Sequence, residues 1–426
     1  MPRATVVFLF LMALAGPSGA AADTLYIRAG QLVDTVDGRL RADQVIVVEG
    51  ERIARVAPAG DVEIPAGARV IDLSGQTVLP GLIDMHTHLT GDHRFHGYES
   101  LAISVPREAL YGVLNARKTL LAGFTSVRNV GAGGYSDIAL RDAIAAGEID
   151  GPRMRASGPA LGITGGHCDN NLLPSEYADK SAGVADGPWA ARAKVREVVK
   201  YGADVIKICA TGGVLSKGDS VGGQQYTPEE MSAIVEEAHR HGRKVAAHAH
   251  GTEGIKDAIL AGVDSIEHSS LIDEEGINLA KAHGTFLVMD IYNDTYILEH
   301  GAEVGMLPES LEKERQIGQL QRDNFRKAFE GGARMAFGSD SGVYPHGDNG
   351  KQFAYMVEYG MTPMEAIQAA TVHAAELMGW PDEVGAIAAG RYADIIAVSG
   401  NPLENVRLLE NVAFVMKGGK VYKSGL

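Results

Sequence analysis

Short apolar segments alternate with helical segments between residues 81 and 388, and this alternation constrains the fold more than any other feature. Eight segments have the length and composition of buried strands: 81–88, 125–130, 154–158, 205–209, 244–248, 265–268, 285–290 and 335–340. Strands that alternate with helices build βαβ units, whose strands lie parallel. Eight such units are typical of the (β/α)8 TIM-type barrel, in which the active site lies at the carboxyl ends of the strands. The sequence therefore predicts an α/β fold with a (β/α)8 barrel over residues 81–388.

The helix that follows the fourth strand is marked at both ends. Thr227 and Glu230 have the spacing of a capping box, and Pro228 occupies the first helical position. Gly242 stands where a helix commonly ends in a left-handed residue. These signals predict a helix that begins at Pro228 and ends before Gly242.

Both ends of the chain contain short strands without helices between them. Near the start they are 25–28, 44–48, 52–56 and 69–73, and near the end they are 393–398, 412–416 and 420–423. Glu49-Gly50 and Ser74-Gly75 supply turn residues between the early strands. Two small all-β pieces are most simply parts of one domain. We therefore predict a β-sandwich domain formed by residues 23–80 and 389–426.

The first 22 residues have the layout of a secretory signal peptide. Arg3 precedes an apolar run over residues 6–15, a Gly-Pro pair ends the run, and Ala20 and Ala22 offer cleavage sites. The run of about ten residues is shorter than the roughly 20 that a spanning helix needs, although an uncleaved anchor is the alternative. We therefore expect a secreted or periplasmic protein with no membrane partner once residues 1–22 are removed.

The chain has two cysteines, Cys168 and Cys209. Neither shows a C-x-x-C or other spacing of a metal site, so we assign them no catalytic role. Export permits disulfides, which leaves both a bridge and two free thiols open.

The composition and net charge of the chain indicate which classes of partner it can bind. Hydrophobic residues make up 45% of the chain and charged residues 22%, as in ordinary globular proteins. The formal net charge is −15. Because binding to phosphates requires a basic face, this charge argues against a nucleic-acid partner.

Histidine or aspartate ends four of the eight predicted strands. The first strand ends in His86-Thr87-His88, and two imidazoles at this spacing point to the same face of a strand, where both can reach one metal ion. The fifth, sixth and eighth strands end near His248 and His250, His268, and Asp340. Each residue alone has an ordinary structural explanation, such as a hydrogen-bonded core histidine or a turn cap. Together, at one edge of the predicted barrel, they indicate a metal site.

Lys207 is anomalous in the fourth strand, Val205-Ile206-Lys207-Ile208-Cys209. A lysine inside an apolar strand is a buried cation, which is costly without a partner. Such a lysine pairs with a carboxylate, loses its proton or is chemically modified. A buried neutral amine is available for covalent chemistry.

The order H-x-H, Lys, His, His and Asp along the chain resembles that of the amidohydrolase superfamily. The segments 79–88, 338–340 and 385–394 are also characteristic of that superfamily, and the resemblance covers essentially the whole chain after the leader. Within the superfamily the chain is similar to the imidazolonepropionase-like branch, which includes Xaa-Pro dipeptidases and ochratoxin A amidohydrolases. This narrower similarity is carried by residues 165–167, 210–213 and 248–251.

The resemblance implies a centre of two Zn²⁺ ions. The ligands that it implies are His86, His88 and Asp340 for the buried ion, His248 and His268 for the more exposed ion, and Lys207 as a bridge. In this role Lys207 is carboxylated by CO₂ to a carbamate, which also removes the problem of a buried cation. Four imidazoles combined with two oxygen donors favour zinc over hard cations, which prefer all-oxygen sites, and manganese or cobalt are the alternatives.

The resemblance also implies roles in catalysis. Asp340 would orient the attacking water, take its proton and deliver the proton to the leaving amine. His250 and His167 would contact the substrate or help stabilise the oxyanion. Tyr226, in the loop after the fourth strand, is the candidate for meeting a substrate carboxylate.

Three functions compete. The leading hypothesis is hydrolysis of an amide bond that releases a carboxy-terminal amino acid from a dipeptide, an N-acyl amino acid or an ochratoxin A-like compound. A cyclic-amide hydrolase or a deaminase on the same fold is the second, although deaminases usually lack the lysine and carry a glutamate after the fifth-strand histidine. An exported zinc-sequestering protein is the third. The family resemblance further implies a homo-oligomer, such as an octamer.

Overall fold

The computed structural model describes residues 24–425, so the leader predicted over residues 1–22 lies outside the described residues. The strands, in chain order, are β1 (Thr24–Asp34), β2 (Arg39–Glu49), β3 (Arg52–Pro58), β4 (Arg69–Pro80), β5 (Leu82–Thr87), β6 (Phe124–Asn129), β7 (Arg153–Ala156), β8 (Val205–Cys209), β9 (Lys244–Ala249), β10 (Ser265–His268), β11 (Phe286–Val288), β12 (Ile395–Val398), β13 (Phe414–Lys417) and β14 (Lys420–Ser424).

Helices follow most of the central strands. In chain order they are α1 (Val105–Leu121), α2 (Ser136–Ala145), α3 (Pro188–Lys200), α4 (Pro228–Arg240), α5 (Thr252–Ala261), α6 (Glu274–His283), α7 (Asn293–His300), α8 (Pro308–Glu330), α9 (Gln352–Glu358), α10 (Pro363–Ala369) and α11 (Val372–Met378). This alternation confirms the predicted mixed α/β class.

Strands from both ends of the chain form one sheet, in the order β14-β13-β12-β4-β1-β2-β3. Strand β4 pairs in parallel with β1 and antiparallel with β12, so it joins the early strands to the late ones. The prediction that both ends of the chain meet in one β structure is confirmed. Hydrogen bonds join its seven strands into one continuous sheet, and buried side chains of these strands form a core of their own. That residues 23–80 and 389–426 form a β-sandwich domain stays a prediction.

Strands β5 to β11 lie in two parallel sheets, β5-β6-β7 and β8-β9-β10-β11. Every residue of β5, β6 and β8 is buried, as expected for parallel strands covered on both faces. The predicted ranges 205–209 and 265–268 coincide with β8 and β10. Because the strands within each sheet are parallel, their carboxyl ends lie at the same edge.

The predicted eighth strand, residues 335–340, is not a regular strand. Single parallel bridges join Met335 to Leu287 of β11 and Ser341 to Thr87 of β5, and the residues between them are irregular. Asp340 has a φ of 55°, which takes the backbone out of the extended region. A Cβ on Gly338 would lie 2.3 Å from Val288 Cγ1, so only glycine fits where this segment crosses β11. Close approach and a left-handed residue therefore interrupt the ladder.

Helix α4 begins as predicted. The Thr227 side chain accepts a hydrogen bond from the Glu230 N–H, and the Glu230 carboxylate accepts one from the Thr227 N–H, which completes the capping box. Gly242 has a φ of 64° just beyond the helix end. Within residues 24–425, no helix combines the length and apolar character needed to cross a bilayer.

Candidate active site

The carboxyl ends of the parallel strands border one cavity of about 640 Å³. Eight of the nine side chains predicted for the site line it: His86, His88, His167, Lys207, His248, His250, His268 and Asp340. Most of them lie at the end of a strand or within two residues of it. The structure therefore brings together residues that are far apart in the sequence.

The first group of candidate metal ligands is His86, His88 and Asp340, whose ligand atoms lie within 4.8 Å of one another. Asp340 Oδ1 is 3.3 Å from His86 Nε2 and 3.2 Å from His88 Nε2. Burial acts to raise the pKa of Asp340, but the two neighbouring imidazoles outweigh it and hold that pKa below its usual range. Asp340 is therefore ionised, which is the form that binds a metal ion.

A buried ion pair that sequence reasoning missed lies behind His86. Glu267 Oε2 is 3.1 Å from His86 Nδ1, and Arg128 Nη2 donates to both oxygens of Glu267, at 2.8 and 2.9 Å. The carboxylate on the Nδ1 side leaves Nε2 of His86 facing Asp340. Both residues carried a usable signal, because an arginine or glutamate within an apolar strand is anomalous in the same way as Lys207.

The second group of candidate ligands is His248, His250 and His268. Burial lowers the pKa of His248 well below its usual range, so its ring is neutral. Its Nε2 is buried and has no hydrogen-bond partner among residues 24–425. An unpartnered imidazole nitrogen is costly unless a ligand completes it, which fits metal binding. Because His250 belongs to the same group, its position also suits it as a ligand, in addition to the substrate contact that we predicted.

Asp290 orients His268 through a hydrogen bond. It was not among the residues predicted from the sequence. His268 Nδ1 is 2.8 Å from Asp290 Oδ1, which orients the ring and leaves Nε2 for the cavity. Burial opposes a proton on His268, but the Asp290 carboxylate outweighs burial and raises the pKa of the imidazole. Asp290 ends the predicted strand 285–290, so the strand-end position that revealed the histidines applied to it as well.

Lys207 lies in the cavity wall with 3% of its surface exposed. Within residues 24–425 its ammonium has neither a hydrogen bond nor an ion pair shorter than 4 Å. Burial lowers the pKa of Lys207 to about 8. The amine is therefore closer to its neutral, reactive form than an ordinary lysine.

Three of the six residues other than glycine that have a positive φ among the described residues lie at the site. His268, Ser269 and Asp340 have φ values of 70°, 53° and 55°, in a region that residues other than glycine rarely adopt. Such conformations cost energy and persist where the surrounding structure imposes them, often at functional sites. Here the Asp340 N–H donates to the His86 carbonyl at 2.8 Å, which ties two candidate ligands together through the backbone.

His167 stacks on His248, with ring centroids 4.0 Å apart and planes 12° from parallel. Gly213 makes this stack possible, because a Cβ there would lie 2.4 Å from the His167 ring and 2.9 Å from the His248 ring. The loop that carries His167 therefore reaches the metal ligands only past a residue without a side chain.

A serine connects His167 to a carboxylate. Ser216 Oγ is 2.7 and 2.8 Å from the two oxygens of Asp219, to which it donates, and 2.8 Å from His167 Nδ1. Since the hydroxyl proton points to Asp219, the serine oxygen accepts from His167 Nδ1–H. Lys313 donates to Asp219 Oδ1 at 2.8 Å and holds the carboxylate in place. This chain presents Nε2 of His167 to the cavity as an acceptor.

A second serine orients His250 in the same way. Gln321 Nε2 donates to the Asp290 carbonyl at 2.8 Å, which fixes the amide, and Gln321 Oε1 accepts from Ser270 Oγ at 2.6 Å. The serine oxygen then accepts from His250 Nδ1, 2.7 Å away. Burial lowers the pKa of His250 well below its usual range, so its ring is neutral and its Nε2 is an acceptor.

Tyr226 does not reach the cavity. It is fully buried in the hydrophobic core, and its hydroxyl donates to the Ala185 carbonyl at 3.2 Å. Its position therefore does not support the predicted contact with a substrate carboxylate. The sequence places Tyr226 next to the capped start of α4, but the direction of the side chain depends on the packing of a loop.

A disulfide joins Cys168 to Cys209, with the two Cα atoms 5.9 Å apart. Cys168 follows His167, and Cys209 ends β8 two residues after Lys207. The bridge therefore fastens the loop that carries His167 to the strand that carries Lys207. The sequence alone leaves this pairing open.

Comparison with protein families matches residues 77–422 to the amidohydrolase family. The chain belongs to the amidohydrolase family. This amidohydrolase is 35% identical over 422 residues to ochratoxinase from Aspergillus niger, covering 93% of this chain and 86% of that one.

Solved structures give the same result. One of a Xaa-Pro dipeptidase with bound methionine in the active site is 40% identical, with a TM-score of 0.88, and covers 94% of this amidohydrolase and 100% of that chain. The crystal structure of A. niger ochratoxinase is 32% identical, with a TM-score of 0.84, and covers 95% and 96% of the two chains. The predicted resemblance is confirmed, and so is the prediction that the chain is an amidohydrolase enzyme.

Proposed function

We propose that this amidohydrolase is a binuclear zinc enzyme that cleaves a peptide-like amide bond and releases a carboxy-terminal amino acid. The substrates in view are dipeptides, N-acyl amino acids and ochratoxin A-like compounds. The observation that carries the proposal is the cavity in which two groups of candidate metal ligands, connected by a third group that shares His268 and Asp340, lie together with a buried, unpaired lysine. The relatedness to ochratoxinase and to a Xaa-Pro dipeptidase supports the choice of substrates.

The donor set fits two zinc ions. His86, His88 and Asp340 would hold one ion, and His248 and His268 the other. The neutral rings of His86 and His248 and the ionised carboxylate of Asp340 are in the protonation states that metal binding requires. The unpartnered Nε2 of His248 is the atom for which a metal ion supplies the missing contact.

Lys207 would bridge the two ions as a carbamate. Its neutral amine attacks CO₂, an N–C bond forms, one C–O π bond breaks, and the amine releases a proton to give an anionic carbamate with two oxygen donors. The low pKa of the buried amine favours this step, because the attacking form is neutral. Carboxylation would also replace the unpaired buried ammonium of Lys207 with an anionic carbamate, whose charge the zinc ions would compensate.

When bound, the metal ions would lower the pKa of the attacking water and polarise the scissile carbonyl. Asp340 would accept the proton of that water at its carboxylate and pass it to the nitrogen of the leaving amine. His250 and His167 present acceptor nitrogens, so as neutral rings they would orient N–H groups of the substrate. Stabilising an oxyanion would require a donor, which the neutral His250 does not offer at Nε2.

The finer features of the fold belong to the same proposal. Residues 81–388 would form a closed (β/α)8 barrel, with residues 335–341 in place of the eighth strand. In support, Ala336 N–H donates to Leu287 of β11, and Met85 N–H of β5 donates to Phe337. Residues 23–80 and 389–426 would form the companion β domain.

We further propose that the protein is exported after removal of residues 1–22 and acts on a small molecule, without nucleic-acid or membrane partners. The disulfide supports export, because such bonds persist in oxidising compartments. A homo-oligomer, such as an octamer, is proposed from the family resemblance.

A substrate screen tests the proposal. Zinc-loaded protein would be incubated with dipeptides, N-acyl amino acids and ochratoxin A, together with cyclic amides and aminated rings for the competing activities. We expect hydrolysis only of amides whose leaving amino acid has a free carboxylate. Ring opening or release of ammonia would favour the cyclic-amide hydrolase or the deaminase, and tight zinc binding without any turnover would favour sequestration.

A further inference from the structure

One wall of the cavity contains an unpartnered amide oxygen beside a pair of buried carboxyls. Asn293 and Asp294 begin α7, Glu314 lies on α8, and all three line the cavity with at most 6% of their surface exposed. Asn293 Oδ1 is buried without a hydrogen-bond partner among residues 24–425, and beside it a hydrogen bond joins the carboxyls of Asp294 and Glu314. A buried acceptor without a donor is unfavourable, and its place beside two carboxyls indicates a missing ligand that brings N–H groups and positive charge.

Contacts to neighbouring residues hold Asn293 and Asp294 in place. Asn293 Nδ2 donates to Asp290, so the amide is oriented with its oxygen away from that residue. Arg322 Nε forms an ion pair with Asp294 Oδ2 at 3.3 Å, and Arg322 also donates to Ile291 and Thr295. This arginine is the single cation within 4 Å of either carboxyl among the described residues.

The two carboxyls therefore have one cation between them. Burial raises the pKa of Glu314 to about 7, and burial together with Glu314 raises the pKa of Asp294 well above its usual range. Without a ligand, the pair accordingly retains a proton near neutral pH. A second cation at this wall would replace that proton, pair with the carboxylates and donate to Asn293 Oδ1.

We propose that the wall formed by Asn293, Asp294 and Glu314 binds a cationic group of the substrate, an alkylammonium or a guanidinium. The inference rests on the proposed function and specifies it, because it selects cationic amides from the broader class. Such a cation has two sources, a basic side chain of the leaving amino acid or the free amino group of a dipeptide. The chemistry of recognition is the same for both.

Three compounds with one skeleton separate the sources. Propionyl-norleucine carries no cation, propionyl-lysine adds an ammonium to the leaving residue, and alanyl-norleucine adds one on the acyl side. With zinc-loaded wild-type protein, we expect kcat/KM for one cationic compound to exceed that for propionyl-norleucine by about tenfold or more, because the neutral compound leaves Asn293 Oδ1 without a donor and the carboxyls without a second cation. The preferred compound identifies the source.

Isosteric variants connect this preference to the wall. Glu314→Gln, and independently Asp294→Asn, should lower the ratio of cationic to neutral kcat/KM by about fivefold or more, because each removes a carboxylate without changing the size of the side chain. Glu312→Gln is the matched control, since Glu312 lies on the same helix with 60% of its side chain exposed and contacts Arg315. It should leave the ratio unchanged.

Equal or faster cleavage of propionyl-norleucine by the wild type would overturn the inference while leaving the proposed function intact. A cationic preference that survives both isosteric variants would also overturn it. If none of the three compounds is cleaved, the proposed function fails on these substrates, and calorimetric binding of the same compounds to zinc-loaded protein tests the wall without turnover. Tighter binding of a cationic compound to the wild type than to Glu314→Gln would then support the wall, and equal binding would refute it.

Discussion

Glu267 Oε2 lies 3.1 Å from His86 Nδ1, in a part of the molecule where neither side chain is more than 1% exposed. The same carboxylate receives Arg128, whose guanidinium is 3% exposed. The orientation of a candidate metal ligand thus depends on a buried charge that must itself be compensated. Stability and metal binding are therefore linked at this position.

Glu267→Gln should lower both the stability of the fold and the affinity for metal. Removing the negative charge leaves Arg128 buried and unpaired, which lowers the free energy of unfolding by about 3 kcal/mol or more. Loss of the contact to His86 should weaken metal binding by about tenfold or more. Denaturant unfolding and zinc titration measure the two effects. Glu236→Gln is the control, because Glu236 pairs with Arg192 on the surface and should change neither; a Glu267→Gln protein as stable as the wild type would contradict the prediction.

Lys207→Ala should lower the zinc content and the rate of hydrolysis together, because it removes the bridge between the two ligand groups. Elemental analysis and kcat on any substrate found in the screen are the measurements. Lys200→Ala, at the exposed end of α3, controls for the loss of a lysine. Two retained zinc ions and full activity in Lys207→Ala would show that the bridged centre is wrong.

Ser216→Ala should lower kcat/KM by about tenfold or more, because His167 loses the contact that fixes its tautomer. Ser216→Thr retains a hydroxyl and should recover part of the loss. Ser175→Ala, in an exposed part of the loop that carries His167, is the control. Steady-state kinetics on the three variants provide the comparison, and equal kcat/KM in Ser216→Ala and Ser216→Thr would rule out a role for the hydroxyl.

Replacing both cysteines by serine should lower the stability of the protein and its rate of hydrolysis. The bridge closes a loop of 41 residues, and its removal lowers the free energy of unfolding by about 4 kcal/mol in the chain-entropy account. The rate should fall because His167 adjoins Cys168. Unfolding and activity are measured with and without reductant. Reductant should reproduce the effect in the wild type and have none on the double variant; an effect on both would point to another cause.

Much of the site could be predicted from the residues that end the predicted strands. His86, His88, His248, His268 and Asp340 were predicted because parallel strands bring their carboxyl ends to one edge, and the structure places all five in one cavity. The same reasoning from strand ends applies to Asp290, which ends the predicted strand 285–290. The chains through Ser216 and Ser270 were not predictable, because each connects loops and helices whose relative positions depend on packing.

The sequence by itself determined the order of strands and helices and the chemistry at the strand ends, because apolar periodicity and buried charge leave local marks. Tertiary structure alone decided the rest: the irregular path of residues 335–340, the direction of Tyr226 into the core, and the disulfide between Cys168 and Cys209. It also decided that Asn293, Asp294 and Glu314 face one cavity from two helices. Such contacts join residues distant in sequence, and only the packed chain sets the distances between them.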